Sequence, residues 1–148
     1  MALSLTFGVV GVPQTVFAAS GSTSVSVSSG SVNIGDTVTV TVKASGPSGE
    51  KANATMTLSY DSSVLQFVSC NTTYGGGGGS VMATGESYTV TLKAVSAGNS
   101  SLSVSANDGV IFDSNEEMDS MSGSSASVTA RCSFRLPRSR MSRTTTAE

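Results

Sequence analysis

The side chains that can do chemistry in this chain are carboxylates, hydroxyls and two cysteine thiols, because the sequence contains no histidine. Cys70 therefore has no histidine base, which excludes the usual nucleophilic dyads. No Gly-x-Ser-x-Gly elbow places a serine between strand and helix signals. Carboxylate pairs can hydrolyse glycosides, but the acidic residues fall mostly in turns, where such side chains are ordinarily solvated. We therefore expect no catalytic residue, no cofactor and no enzymatic activity.

The densest acidic cluster is Asp113–Asp119, to which Asp108 adds a further carboxylate. Oxygen ligands at alternate positions suit a hard cation such as calcium. Met118 stands where an EF-hand loop requires its turn glycine, so the EF-hand is excluded. A solvated surface loop is the favoured interpretation, and a calcium site of another kind is the alternative.

Three tyrosines are the candidates for stacking on sugar rings. Tyr60 and Tyr88 fall on the inward phase of alternating segments, which predicts that both belong to the core. Tyr74 lies next to the five glycines of Gly75–Gly79 and is predicted to be exposed. A carbohydrate platform ordinarily needs two or three coplanar aromatic rings, so one exposed tyrosine and no tryptophan argue against it.

Cys70 and Cys132 form an even pair, which in an exported protein ordinarily indicates a disulfide. Cys132, however, lies in a terminal segment of different composition. We therefore expect Cys70 to be a free, buried, small apolar residue. The glycines that follow it predict a mobile surface loop, since no Gly-Lys-Ser follows them to make a phosphate loop.

Serine, threonine, glycine and valine dominate the sequence and favour strands and turns over helices. The formal charge of residues 1–130 is −6, whereas residues 131–148 carry +4 and every arginine of the chain. An acidic body of this kind should not bind nucleic acid or an anionic membrane non-specifically.

Alternation of apolar and polar residues predicts an all-β fold, an immunoglobulin-like or jelly-roll β-sandwich of eight or nine short strands. The stretch Ala54–Phe67 shows the pattern, with an alternating strand, a turn at Asp61–Ser63 and a second apolar run. Thr37–Ala44 and Tyr88–Val95 alternate in the same way. Further strands are predicted around Val25, Val32, Ser80–Ala83, Leu102–Ala106 and Ala126–Ala130, and a compact apolar run, Val110–Phe112, follows Asn107–Gly109.

Residues 1–19 are apolar and end in Val16-Phe17-Ala18-Ala19, which is typical of a signal peptide cleaved after Ala18 or Ala19. The positively charged start is missing, so we interpret the segment as a truncated signal peptide, with a first strand as the alternative. The sandwich domain is then predicted over residues 20–130. Residues 131–148 are predicted to be an unstructured tail, for which a frameshift artefact is favoured over a basic anchor.

A set of strand and turn residues recurs in a characteristic order along the chain. They are Val32, Gly35-Asp36-Thr37-Val38, Val40, Val42, Ala54–Leu58, Tyr60-Asp61, Val64-Leu65, Thr91–Val95 and Gly98–Val104, followed by a last loop at Asp113 and a strand at Val128. This order resembles that of cohesin domains, the β-sandwich modules of bacterial cellulosomal scaffolds and related surface proteins. The resemblance covers about residues 24–130, although the chain between Phe67 and Tyr88 is short where cohesins place further strands.

The resemblance implies a nine-stranded jelly roll that binds a dockerin-bearing protein, or else a polysaccharide-associated module, outside the cell. We expect a monomeric module of a longer bacterial surface or scaffold protein, without membrane insertion of the mature domain. No binding residue is assigned. The rival hypothesis is a passive immunoglobulin-like spacer of an adhesin or cell-wall protein, which should show threonine and serine on both outer faces. An interaction module should instead expose a flat or apolar face.

Overall fold

The computed structural model describes residues 19–111 and 117–133. These residues form ten β-strands and one 3-10 turn at Pro47–Gly49. The all-β sandwich predicted from the sequence is confirmed, with ten strands where eight or nine were predicted. The strands are β1 (Ser20–Val27), β2 (Ser31–Asn33), β3 (Thr37–Ser45), β4 (Ala52–Ser59), β5 (Leu65–Cys70), β6 (Ser80–Gly85), β7 (Ser87–Ala94), β8 (Gly98–Ile111), β9 (Ser120–Ser122) and β10 (Ser124–Arg131).

The strands form two five-stranded sheets packed face to face. The first sheet has the order β5-β7-β3-β1-β9, and the second has the order β2-β10-β8-β4-β6. Neighbouring strands are antiparallel except for two short pairs, β1 with β9 and β10 with β2, which are parallel. The chain therefore crosses repeatedly between the sheets, as in other Greek-key sandwiches.

The core lies between the sheets and consists of the inward side chains of alternating strands. β3 contributes four buried residues, Val38, Val40, Val42 and Ala44. The residues that alternate with them are exposed, and they are Thr37, Thr39, Thr41 and Lys43. β4 does the same through Met56 and Leu58. Each fully buried valine or leucine stabilises the fold by about 1.5–3 kcal/mol, so this alternation holds the two sheets together.

The segments Leu102–Ala106 and Val110–Ile111, separate in the sequence pattern, belong to one strand, because β8 continues through Asn107–Gly109 to Ile111. Two residues of β8, Asp108 and Gly109, stand opposite the single residue Ala54 of β4, so the irregularity is a β-bulge. Asp108 has a φ of 51°, and aspartate tolerates this left-handed conformation better than most residues do. The polar Asn-Asp-Gly sequence thus kinks β8 without ending it.

The turn at Asp61 carries the chain from β4 in the second sheet to β5 in the first. The Asp61 carboxylate accepts hydrogen bonds from the Ser63 hydroxyl (2.6 Å) and the Ser63 backbone N–H (2.8 Å). These bonds lower the pKa of Asp61 below its ordinary value, the hydroxyl contributing most. The backbone N–H of Asp61 in turn donates to the buried Ser100 hydroxyl at 2.9 Å. The predicted role of Asp61 as a turn anchor is confirmed.

Several predictions concern residues outside the described ranges. The signal peptide lies wholly outside them apart from Ala19, and so does most of the arginine-rich tail. Arg131 ends β10, and Cys132 follows it as an exposed, free cysteine. In the described part of the chain, no helix is long and apolar enough to cross a membrane.

Candidate interaction surface

The outer surface of strands β6, β4 and β8 is a continuous, regular array of small polar side chains. It is called the β6-β4-β8 face below. The strand register places its side chains in three rows, which are Ser80–Ser59–Ser103, Met82–Thr57–Ser105 and Thr84–Thr55–Asn107. No member of these rows is charged. The face can therefore accept a partner without desolvating an ionised group.

Met82 is the one large hydrophobic side chain that the described residues expose at a regular strand position on an outer face. It is 53% exposed. The other exposed large hydrophobic residues lie in turns, in a loop or at a bulge, and they are Ile34, Val68, Tyr74 and Val95. The Met82 thioether is surrounded by hydroxyl-bearing side chains and gives the face one apolar contact point. Methionine is flexible, so it adapts its shape readily to a partner.

The hydroxyl groups next to Met82 are held in place by the sheet. Thr55 and Thr84 lie opposite each other, and their hydroxyl oxygens are 3.1 Å apart, within hydrogen-bonding distance. Thr55 and Thr57 are only half-exposed because they belong to a central strand. From strand spacing the three rows cover about 10 Å by 13 Å, so a stable partner would also have to contact the neighbouring strand and loops.

The outer face of the first sheet has the same residue types but carries charge. Threonine and serine occupy most outward positions of β3 and β7, and lysine occupies the remaining two, Lys43 and Lys93. Thr37 lies opposite Lys93 and Ser87 opposite Lys43, so the ammonium groups stand near opposite ends of the strand pair. Both outer faces are thus rich in hydroxyl groups, the pattern expected of the spacer.

The acidic cluster is only partly described, since Asp113–Glu116 lie outside the described residues. Glu117 and Asp119 are exposed, and Met118 between them is buried against the core. With Asp108 they border an open depression of about 720 Å³. Within residues 19–111 and 117–133, no three carboxylate or thiol side chains converge on one point as a metal site requires. The calcium site remains a prediction.

The tyrosines lie where the sequence predicted. Tyr60 and Tyr88 are buried in the core, and Tyr74 is exposed. Burial raises the pKa of Tyr88, whose hydroxyl donates a long hydrogen bond (3.4 Å) to the Val81 carbonyl oxygen. The tyrosines therefore form no stacking platform.

Cys70 is a free cysteine, as predicted, but it is half-buried rather than buried. Its sulfur lies 3.6 Å from the Thr72 hydroxyl oxygen, which is the distance of a weak hydrogen bond to sulfur. Cys132 is also free. Because the sequence contains no histidine, neither thiol can form the cysteine–histidine dyad of nucleophilic catalysis.

The sequence analysis did not single out Met82. It identified Ser80–Ala83 only as a short edge strand, and nothing in the sequence says which strands lie beside it. The available signal was an apolar residue at the outward phase of an uncharged segment. Only the register of β6 on β4 shows that Met82 lies opposite Thr57, in the middle row of the β6-β4-β8 face.

A family model described as "Cohesin domain" matches residues 23–113, which is more than half of the chain. The match begins within β1 and ends beyond β8, so it includes the three strands of the β6-β4-β8 face. No curated protein sequence matches the chain.

Solved cohesin structures share the fold at low sequence identity. The cohesin module of a family 33 glycoside hydrolase from Clostridium perfringens is 13% identical, with a TM-score of 0.56, and the match covers 74% of this chain and 96% of that one. A non-cellulosomal cohesin from the archaeon Archaeoglobus fulgidus is 14% identical (TM-score 0.54; 74% and 91% covered). The module CaCohA2 from Clostridium acetobutylicum is 22% identical (TM-score 0.51; 75% and 90% covered).

Proposed function

The chain belongs to the cohesin domain family, whose members are protein–protein interaction modules, and we propose that it binds a dockerin-bearing protein through the β6-β4-β8 face. A related module, CaCohA2, was solved in complex with the dockerin CaDoc0917. The observation that carries the choice of face is Met82, an exposed thioether on the edge strand of an uncharged array, in the middle of its three rows. The first sheet presents lysines instead.

The chemistry of the face defines the partner surface that it would fit. Hydroxyl groups on three adjacent strands can donate to and accept from polar uncharged groups. Met82, in the middle row on the edge strand, would provide the one apolar contact of the face, and a few contacts of this kind usually carry most of the binding energy. A partner that buried an unpaired charge on this face would lose affinity, because the face offers no counter-charge. We therefore propose a protein surface with serine, threonine or asparagine around one apolar side chain.

A protein partner is proposed rather than a polysaccharide. Of the described aromatic side chains, Tyr74 alone is well exposed, and it stands in a loop outside the face. Stacking on sugar rings would need more than one such ring. We propose in addition that the module acts outside the cell as part of a longer surface or scaffold protein, in keeping with its apolar residues 1–19.

The experiment is a binding titration of the whole chain against a panel of immobilised dockerin modules, followed by matched substitutions. Met82→Lys places a charge on the face, whereas Val68→Lys places the same charge at an equally exposed position (50%) of β5. We expect Met82→Lys to weaken binding about tenfold or more, because it replaces the one apolar contact of the face with a charge. Val68→Lys should leave it within about twofold.

Two results would contradict the proposal. If Val68→Lys weakens dockerin binding as much as Met82→Lys does, the face is wrong although the activity stands. If no dockerin module is retained by the folded wild-type chain, the rival function, a passive spacer, is favoured. The observation in favour of the spacer is that threonine and serine cover the outer faces of both sheets.

A further inference from the structure

The four edge strands of the sandwich differ in how well they are protected against pairing with another chain. β2 and β9 are only three residues long. β5 has a register shift between Phe67 and Ser69, so a bulge interrupts it. β6 has six residues in unbroken register with β4, and its sequence, Ser-Val-Met-Ala-Thr-Gly, contains neither charge nor proline. Short strands, bulges, charges, prolines and covering loops protect sheet edges, and β6 has only the last of these, a glycine loop that passes over its first residues.

The outward backbone groups of β6 can be identified from the ladder. Tyr60 donates its backbone N–H to the Gly79 carbonyl oxygen at 2.9 Å, one step beyond the pair Ser59–Ser80. Because paired and unpaired positions alternate in an antiparallel ladder, Val81 and Ala83 bond to β4. Met82 and Thr84 then direct their N–H and C=O groups away from it. In the described part of the chain, no backbone group bonds to Met82 or Thr84 on that side.

A partly apolar cavity lies beyond the Ser80 end of this edge. β6 packs over β7, and β5 is the next strand beyond β7, so β5 extends past the edge of the second sheet. The cavity has a volume of about 330 Å³, and its lining combines Leu65, Gln66 and Phe67 of β5 with Tyr60, Ser62 and the loop glycines Gly77 and Gly78. A strand added to β6 and continuing past Ser80 would lie over β5 and would direct one of its alternate side chains towards this cavity.

The glycine loop covers this region without placing a side chain in it. Gly77 and Gly78 line the cavity, and Gly75 lies against the Phe67 ring, to which an added Cβ would be 3.3 Å away. Gly76 passes so close to the Ser80 carbonyl oxygen that an added Cβ would lie 2.5 Å from it. Glycine gains the most conformational freedom when it is released, which favours displacement of the loop by an incoming strand.

We propose that the β6 edge accepts an extended, uncharged segment of another polypeptide as an additional strand, with one large apolar side chain in the Phe67 cavity. Neither β6 nor the residues that line the cavity carry an ionised side chain, so a charged segment would gain nothing there. Main-chain bonds would supply affinity and the cavity would supply specificity, as in other cases of strand addition. This site is the edge of the sheet and does not depend on the dockerin face.

A second copy of the chain fits the site less well. In an antiparallel β6–β6 pair about a two-fold axis, each copy would offer the other only the side chains of Ser80–Gly85, and the one large exposed apolar residue among them, Met82, lies on the outer face. The inward residues Val81 and Ala83 are already buried in their own core. Both cavities would then stay empty, so a foreign strand is the better occupant.

The test uses the whole chain and a fluorescent peptide, acetyl-Thr-Leu-Thr-Phe-Thr-Leu-Thr-amide, in an anisotropy titration. Two N-methylated peptides serve as controls, each blocking the amides of one edge of the peptide. We expect one N-methylated peptide to bind like the parent, and the other to lose about tenfold or more, because its bonds to β6 are blocked. This comparison needs no change in the protein.

Two protein variants make the assignment to β6. Met82→Pro removes the outward N–H, and proline is tolerated at edge positions whose N–H faces solvent. Met82→Ala keeps that N–H. We expect Met82→Pro to weaken peptide binding about tenfold, and Met82→Ala to bind within about threefold of wild type while dockerin binding falls. Thermal unfolding of both variants shows whether each is folded.

Three results would overturn the proposal. The first is absence of binding at about 1 mM peptide. The second is equal binding of both N-methylated peptides, which would indicate non-specific apolar contact. The third is a wild-type dimer in sedimentation that Met82→Pro dissociates, which would make a second copy the occupant. Loss of dockerin binding alone would leave this proposal standing.

Discussion

The outer faces of the two sheets have nearly the same composition and different surface chemistry. Both are formed by outward threonine and serine residues on alternating strands. The first sheet adds Lys43 and Lys93, whereas the β6-β4-β8 face adds Met82 and no charge. Burying the first sheet's face would remove two lysine ammonium groups from water, which costs much free energy unless each finds a counter-charge. Burying the β6-β4-β8 face would remove only a thioether and hydroxyl groups, and a hydroxyl group that finds a hydrogen-bond partner costs far less.

The largest expected effect tests whether the β6-β4-β8 face is an outer face at all. Leu58 is fully buried on the inner side of β4, and Thr57 is its half-exposed neighbour on the outer side. Leu58→Ala should lower the free energy of unfolding by about 2–5 kcal/mol, and Thr57→Ala by no more than about 1 kcal/mol. Urea titrations of both variants measure this difference. Comparable losses would place Thr57 in the core.

A smaller effect distinguishes the two faces in binding. Thr57→Lys puts a charge on the middle strand of the β6-β4-β8 face, and Thr41→Lys puts the same charge on the middle strand of the first sheet. If the dockerin module binds the β6-β4-β8 face, Thr57→Lys should weaken binding about tenfold, or about 1.4 kcal/mol. Thr41→Lys should have little effect. Calorimetric titration of each variant decides, and the reverse ranking would move the interface to the first sheet.

A still smaller effect concerns the order within the face. The Thr55 and Thr84 hydroxyl groups interact across β4 and β6 at 3.1 Å. In a double-mutant cycle with Thr55→Val and Thr84→Val, the coupling energy for stability should be about 0.2–1 kcal/mol. The matched control cycle uses Thr39 and Thr91, which lie directly opposite each other in the first sheet. Their hydroxyl groups do not form a hydrogen bond with each other. Equal coupling in both cycles would remove this difference between the faces.

The smallest effect concerns the turn that joins the two sheets. Bonds from Ser63 hold the pKa of Asp61 below its ordinary value of 3.8 in the folded state. The stabilisation from ionised Asp61 is therefore fully present above that value and is lost as the pH falls through the lower, folded pKa. Asp61→Ala should lower the melting temperature at neutral pH, and this difference from wild type should shrink on acidification. A difference that grows towards low pH would contradict the assigned bonds.

The sequence predicted the inner surfaces of the sandwich better than its outer ones. Alternation located β3, β4 and β7 and placed Tyr60 and Tyr88 in the core, because burial imposes a period of two on any strand with one wet face. It divided β8 into two apolar segments at Asn107–Gly109, where polar residues accommodate a bulge within one strand. Local preference cannot show that a strand continues when the pairing that sustains it comes from β4, about 50 residues earlier.

The sequence by itself determined the fold class, the family resemblance, the buried residues of the clearest strands and the anchoring role of Asp61. These follow from local periodicity and from side-chain bonds to nearby backbone groups. Only the tertiary structure decided that Ser80–Gly85 is an edge covered by nothing but a glycine loop, that Met82 lies opposite Thr57, and that β5 extends beyond the second sheet. These are relations between strands distant in sequence, set by sheet order and register, and local pattern does not encode them.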